Sequence, residues 1–234
     1  SKWEAAIEAG DMESAKKLGP QTAEYTPEMV RETKELFDLM GISWVDAPME
    51  AEGAAAVMCS RGDVAAVASQ DWDTLLYGSP VMVRNLTSHG TRRFGRMLSA
   101  EKISLRKTLE NHGITREQLV DLGIMVGTDF HPGIRGIGPK TGLKQIQKHG
   151  TMEAVAEAKG FDLPDRLEDI RSLFMEHPCS DGPVSSSGKA VEEDLRTFLQ
   201  DQRGFGEARV KRALGRLSDS GRLRSAGQSS LFDF

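Results

Sequence analysis

The side chains richest in chemistry form two close pairs of acids, Glu50-Ala51-Glu52 and Asp71-Trp72-Asp73. Four like charges in one crevice repel, and each raises the pKa of the others unless a cation neutralises them. Oxygen donors without His or Cys select hard ions, Mg2+ or Mn2+. A cluster this acidic can hold two such ions, an arrangement that cuts phosphodiesters. Asp129, in Gly127-Thr128-Asp129-Phe130, is a fifth candidate. Plainer readings compete: Glu50 and Glu52 follow Pro48 and would complement any helix N-terminus, and Asp129 suits a turn or cap. Residues two apart do not share a helix face, so only a helix end lets both glutamates reach one metal cluster.

The elements around the pairs fit the first reading. Glu52 to Met58 is a helix-like run, Val64 to Ser69 reads as a buried parallel strand, and Ile42 to Val45 as another. The resulting strand–helix–strand unit carries its acids at the carboxyl ends of the strands, where open α/β sheets place ligands. Upstream, Thr26 caps a helix that starts at Pro27, ends at Gly41 and offers Met29, Val30, Leu36, Phe37 and Met40 to a core. Downstream, Val81 to Leu86 is a strand, Ser88 to Arg96 a basic hairpin, and Ser99 or Glu101 to His112 a helix. Thr115 to Gln118 forms a capping box that opens Leu119 to Val126.

His131 to Thr141 places Gly136, Gly138 and Pro139 before a helix running from Gly142 to His149. Bare N–H groups at a positive helix end bind phosphate without reading bases. Pro139 removes one N–H from the would-be cradle, so this is not a Walker loop; the alternative is a packing turn between helices. Helices over Leu163–Glu176, Ala190–Gln202 and Gly206–Leu217 follow, the last with a basic face of Arg209, Lys211, Arg212 and Arg216. From Ser218 the chain is rich in Ser, Gly and Arg and reads as disordered. Its end, Gln228 to Phe234, carries Leu231, Phe232 and Phe234, apolar side chains suited to a partner's pocket.

Composition sets outer bounds. The 234 residues make one large domain or two small ones, and 38% hydrophobic with 28% charged residues describes a chain with a core. A net charge of −5 argues against a uniformly basic nucleic-acid binder and leaves local patches to do that work. Two cysteines, Cys59 and Cys179, make neither a disulfide framework nor a zinc site and suit a reducing cytosol. No run is apolar and long enough to span a membrane, and no signal peptide is visible.

Assembled, these residues resemble the archaeal and eukaryotic flap endonuclease family over nearly the whole chain. The matching motifs are Ala47-Pro48-Met49-Glu50-Ala51-Glu52, Ser69-Gln70-Asp71-Trp72-Asp73 with Leu76-Tyr77-Gly78-Ser79-Pro80 and Arg84-Asn85-Leu86-Thr87, Val126 to Phe130, Arg135 to Lys140, and Gly204-Phe205 through Arg209 to Arg212. The resemblance implies an α/β fold, a mostly parallel sheet with flanking helices (a PIN-like nuclease core), then a helix–two-turn–helix element and C-terminal helices. Its segments would be 1–30 as a connector, 31–130 as the nuclease core, 131–218 as the helical region and 219–234 as a flexible tail. It further implies a nuclease that cuts 5′ flaps in DNA replication and repair, with Glu50, Glu52, Asp71, Asp73 and Asp129 holding two Mg2+ or Mn2+ ions. Duplex backbone would lie on Gly133, Arg135, Gly136, Gly138 and Lys140, with a K+ ion on main-chain carbonyls near Gly133, Ile134 and Ile137. The tail resembles a peptide for the sliding clamp PCNA, with Gln228, Leu231, Phe232 and Phe234 in play and the second aromatic of the usual pair missing.

Family members begin with an N-terminal segment that supplies a strand, two more carboxylates and a basic helical arch. This chain opens at Ser1, about where that arch ends, so the resemblance implies a partial chain with little cleavage by itself. Such an enzyme is expected with the nucleoid in an archaeal cytoplasm, or in a eukaryotic nucleus. Two other readings stay open at this level: a non-catalytic module that binds DNA and clamp, and an Asp-x-Asp phosphatase. The second is weakened because Thr74 comes one position earlier than its Asp-x-Asp-x-Thr pattern.

Overall fold

The computed structural model describes residues 7–14, 26–88, 90–93, 95–179, 188–221 and 223–224. Gln228, Leu231, Phe232 and Phe234, named above for clamp binding, lie outside the described residues. The chain packs as two compact units, one from Ser1–Val45 with Gly182–Phe234 and one from Asp46–Asp181. These cuts differ from the segment boundaries read from the sequence.

In the first unit, helix α1 spans Pro27–Leu39, with the Thr26 hydroxyl accepting from the Met29 N–H and Pro27 in the first turn. Leu36, Leu39 and Met40 pack on this unit's core, whereas Met29 and Val30, expected inside, are each 43% exposed. Further along the helix, Glu32 pairs with Arg203 at 3.1 Å. Ile42 to Val45 is not the strand that was expected. The Ile42 N–H donates to the Phe37 carbonyl at 2.8 Å and the Trp44 indole N–H to Asp38 at 2.9 Å, folding the segment back on α1.

In the second unit, α2 spans Ala51–Arg61 and stops at Gly62, which takes the left-handed conformation. Strand β1 is only Val67–Ala68; α3 is the short turn Asp73–Leu76, and β2 is Val81–Arg84. A small hairpin, β3 Arg92–Arg93 and β4 Arg96–Met97, is where the basic stretch put it. Strand β5 spans Glu101–Ser104 where a helix start was expected, and Ser104 then caps α4, Leu105–His112. The main sheet has the order β1-β2-β5, parallel at β1–β2 and antiparallel at β2–β5. It is therefore mixed, not mostly parallel. As an end strand, β1 is buried at Val67 and exposed at Ala68, which corrects the reading of Val64 to Ser69 as a fully buried strand.

Helices α5 (Arg116–Val126), α6 (Pro139–His149), α7 (Met152–Lys159) and α8 (Leu167–Met175) build the core of this unit. The Thr115–Gln118 capping box is present in both directions. Ile124, Met125, Ile146, Met152, Val155 and Phe174 are fully buried together. Gly142 lets α6 lie close on α5, since a Cβ there would stand 2.6 Å from the Leu122 side chain. Helix α7 was not anticipated, although its Thr151 cap, which accepts from the Ala154 N–H, is an ordinary start signal.

The first unit resumes with β6 (Ala190–Val191), α9 (Glu192–Arg196), a π-helical stretch (Thr197–Gln202), α10 (Glu207–Asp219) and β7 (Leu223–Arg224) parallel to β6. The single helix expected over Ala190–Gln202 is thus a strand, a short α-helix and a widened turn. Ala190, Leu195, Val210 and Leu214 form the core of this unit.

An ion cluster built on the buried Asp121 ties α5, α7 and α8 together. The Arg171 guanidinium makes two bonds to Asp121, at 2.7 and 2.8 Å, and also reaches Glu153 and Glu168. Asp121 accepts in addition from the Met152 N–H at 2.9 Å, at the start of α7. Hydrogen bonds from Arg171 hold the Glu153 carboxyl down at about 2. Removing one member of a buried pair leaves its partner uncompensated, at a cost of about 3 to 5 kcal/mol. Asp121→Ala should therefore destabilise the chain toward the lower end of that range, because Glu153 and Glu168 still face Arg171. Urea unfolding of the variant checks this, and an unchanged midpoint would contradict it.

Candidate active site

The five acids arrive on three separate segments of the second unit. Glu50 is the N-cap residue of α2, and its carboxylate makes no capping bond there. Glu52 sits in the first turn of α2. Asp71 and Asp73 flank Trp72 beyond β1, and Asp129 stands in the turn after α5, closed by the Thr128–His131 bridge. Asp71 does act locally as a cap: its Oδ1 accepts from the Asp73 N–H at 2.9 Å, while its own N–H donates to Ser69 Oγ at 3.0 Å.

Electrostatics show that the acids converge. Burial pushes the Asp73 carboxyl up to about 6, and the negative charges of Asp71, Asp129 and Glu52 push in the same direction. The Tyr77 hydroxyl is likewise driven well up, first by burial and then by Glu50, Asp73, Glu52 and Asp129. Three of the other four candidates thus act on Asp73, and four of the five act on Tyr77. The donors are hard oxygens only, and their repulsion is what a divalent cation would relieve, so the donor chemistry fits Mg2+ or Mn2+. Among the described residues, however, no three His, Cys, Asp or Glu side chains approach closely enough to form a metal-ligand set. The acids are gathered but not closed into a coordination shell.

Several residues that position the acids carried no signal in the sequence. The Arg116 guanidinium donates to the Leu76 carbonyl and, at 2.7 Å, to the Phe174 carbonyl, tying the end of α3 to α5 and α8. Gly78 makes room for it; a Cβ there would lie 2.5 Å from the guanidinium carbon. Burial lowers the Arg116 pKa. Gly53, next to Glu52, leaves its Cβ position to the buried His177 ring, which Tyr77 meets edge-on at 4.9 Å between centroids. His177, Tyr77 and Gly53 together seat the first turn of α2. Trp72 is 51% exposed, with the Arg84 guanidinium 4.1 Å from its ring centroid.

The glycine-rich turn lies in the same unit. Gly133 has φ +86°, and a Cβ would sit 2.5 Å from the Val126 carbonyl oxygen, so only glycine serves. Its N–H donates to His131 Nδ1 at 3.1 Å, Ile134 N–H to the Met125 carbonyl and Ile137 N–H to the Ile134 carbonyl. Arg135, Gly136, Gly138 and Lys140 are exposed, and Gly138 is the N-cap of α6 without a side chain to fill that role. Space is open at the Cβ positions of Gly136 and Gly138. A cavity of about 640 Å3 runs from Asp71, Trp72 and Asp73 to Pro139 and Lys140, walled by Leu75, Leu122, Val126 and Leu143 among others. The structure therefore places Asp71 and Asp73 and the start of α6 on one surface.

Comparison with known proteins agrees with this layout. Residues 41–129 match the XPG I-region family model. The chain is 38% identical over 237 residues to flap endonuclease 1 of Ignicoccus hospitalis, covering 99% of this chain and 68% of that protein. It is 40% identical to flap endonuclease 1 of Aeropyrum pernix, covering 100% and 69%. Among solved structures, flap endonuclease-1 from Methanococcus jannaschii superposes with a TM-score of 0.71 at 36% identity, over 92% of this chain and 64% of that one. The catalytic core of Rad2 in complex with a DNA substrate shares the fold, with a TM-score of 0.69 at 22% identity. The fold and site define an XPG-type nuclease with the α/β architecture of that superfamily. Within it, the chain belongs to the flap endonuclease 1 family, spanning about two thirds of the length of these relatives.

The raised Asp73 carboxyl has a consequence for stability. Between the ordinary value near 4 and about 6, the folded chain holds a proton that the unfolded chain has released. Stability therefore falls as pH rises through that window, and the penalty is complete above it. Asp73→Asn removes the penalty. In EDTA at pH 7.5 the variant should be more stable by on the order of 1 kcal/mol, a figure reduced for the partial exposure of the carboxylate. The gain should vanish by about pH 4. Thermal melts across pH check both halves; equal stability of the two proteins at pH 7.5 would refute the repulsion argument.

Proposed function

We infer that this chain is the larger part of a structure-specific 5′ flap endonuclease and 5′–3′ exonuclease of DNA replication and repair, hydrolysing phosphodiesters with two divalent cations. The observation that carries the reading is that acids from three separate segments act on Asp73 or Tyr77, with Glu52 and Asp129 acting on both, in a chain some 40% identical to flap endonucleases. Glu50, Glu52, Asp71, Asp73 and Asp129 would hold the cations. Bound there, the ions supply an activated water and neutralise charge on the phosphate.

The chain's own residues hold and orient. Asp71 fixes the Asp71–Asp73 turn through the Asp73 N–H. Gly133, Arg135, Gly136, Gly138 and Lys140 take duplex backbone at the start of α6, where N–H groups and the helix dipole favour phosphate. A K+ ion on the carbonyls of Gly133, Ile134 and Ile137 is consistent with this turn. The Ile134 carbonyl accepts from Ile137 yet keeps a second lone pair. Backbone contact reads no bases, which suits an enzyme that selects junction shape.

A second reading, a DNA-binding module without catalysis, is favoured by one observation: among the described residues the acids do not close into a ligand set. One experiment separates the two. Flap DNA is presented to the chain in Mg2+, alone and with the N-terminal segment of a relative supplied alongside. Cleavage in the second mixture, lost in Asp71→Ala with DNA binding retained, supports the nuclease. Binding without cleavage in either mixture supports the module. Lys140→Ala should weaken binding to every sequence alike and reduce the salt slope by about one phosphate contact.

The tail is proposed to engage a sliding clamp, with Leu231 and Phe234 in an apolar pocket and Gln228 at its rim. A peptide covering 225–234 should bind the clamp and its Phe234→Ala form should not. Indistinguishable binding of the two peptides would end that proposal.

A further inference from the structure

Trp72 is the large aromatic that the architecture has least reason to leave in water. It is 51% exposed, while the residues after it, Thr74 to Ser79, are all buried. The Arg84 guanidinium lies against its ring at 4.1 Å and reaches the Gln70 carbonyl at 3.5 Å, so the indole is braced on a cation instead of packed in a core. Such a stack contributes about 0.5 to 2 kcal/mol and fixes the ring's orientation. The ring opens onto the cavity that also contains Asp71, Asp73 and Lys140.

We propose that Trp72 is a stacking platform for an unpaired nucleobase at the scissile position of the substrate. Trp72 is bonded directly to Asp71 and to Asp73, so its Cα is about 3.8 Å from that of each. Trp72 also lines the same cavity as Asp71 and Asp73, so a nucleotide whose phosphate those acids address there would meet this residue. Cations flank the platform, Arg84 on the indole and Lys140 across the cavity, which complements a nucleic-acid strand and disfavours a basic protein partner. Every base has a π-face, so stacking tolerates any sequence. A base inside a duplex is already stacked, and only an unpaired one gains from the indole. Trp72 thereby gives the site a preference for an unpaired nucleotide next to the acids, a selection that backbone contacts at Gly133 to Lys140 cannot make.

This inference rests on the nucleic-acid substrate proposed above, and the test keeps the two apart. The 234-residue chain is made with Trp3→Phe and Trp44→Phe, leaving Trp72 as its one indole among the three tryptophans of the sequence. It is titrated, in Ca2+, with a flap duplex carrying 2-aminopurine at the junction nucleotide, while anisotropy follows binding independently. The expected result is quenching of both 2-aminopurine and Trp72 emission at saturation, with no such change on a fully paired duplex. Trp72→Leu should melt normally, lose the 2-aminopurine quenching and bind the flap roughly tenfold more weakly. Trp72→Phe should keep the quenching and most of the affinity. Binding by anisotropy with unchanged 2-aminopurine emission would overturn the platform and leave the nuclease reading standing. Absence of binding to any DNA would overturn both.

Discussion

The crowding of like charges around the partly buried Asp73 is the constraint on which the rest of the site depends. Burial first, and then the charges of Asp71, Asp129 and Glu52, push the Asp73 carboxyl up to about 6; at Tyr77 burial again leads, with Glu50 among the charges that follow. Nothing about such an arrangement favours folding. It persists because the surrounding packing over-determines the positions of the three segments that carry the acids, so that the repulsion is held in the folded state instead of being relaxed by chain movement.

The restraints are specific. Arg116 uses one guanidinium to hold the carbonyls of Leu76 and Phe174, fixing the Asp73–Leu76 turn against α5 and α8. His177 fills the notch that Gly53 leaves, and Tyr77 closes over it, so the turn bearing Glu52 cannot tilt without opening a buried ring cluster. Gly133 fits under the Val126 carbonyl and sets the spacing between Asp129 and the phosphate-binding turn. Each restraint joins a segment of the site to the core of α5, α6 and α8, where Ile124, Ile146 and Phe174 are fully buried.

What the sequence disclosed follows from what each signal depends on. Capping is local: Thr26 and Thr115 start helices through bonds that span a few residues, and those starts agree with the structure. Strand pairing is not local. Ile42 to Val45 has a strand-like composition yet spends its hydrogen bonds on α1, and Glu101 to Ser104 has helix-compatible residues yet pairs with Val81 to Arg84. Helix α7 is a run of eight residues behind its Thr151 cap, too short to show a clear helical period. The acids themselves were legible, since their type and spacing are the chemistry. The roles of Arg116 and His177 were not, since Arg116 acts through the carbonyls of Leu76 and Phe174, 40 and 58 positions away, and His177 through Gly53 and Tyr77, contacts that leave no mark on a linear pattern.

The separation of charge over the cavity explains how a chain of net charge −5 can address a polyanion. Acids at one end repel phosphate unless cations intervene, whereas the exposed N-terminus of α6, with Arg135 and Lys140, attracts it without help. On the proposed function, backbone binding would begin at the turn, and the acids would accept a phosphate only where metal neutralised them. Asp71 and Asp73 share one 640 Å3 cavity with Lys140, so affinity and chemistry would meet there. The strand is held by contacts indifferent to sequence, and the choice of phosphate is left to geometry: which nucleotide, held from the turn, can bring its phosphate to the acids while its base leaves the stack.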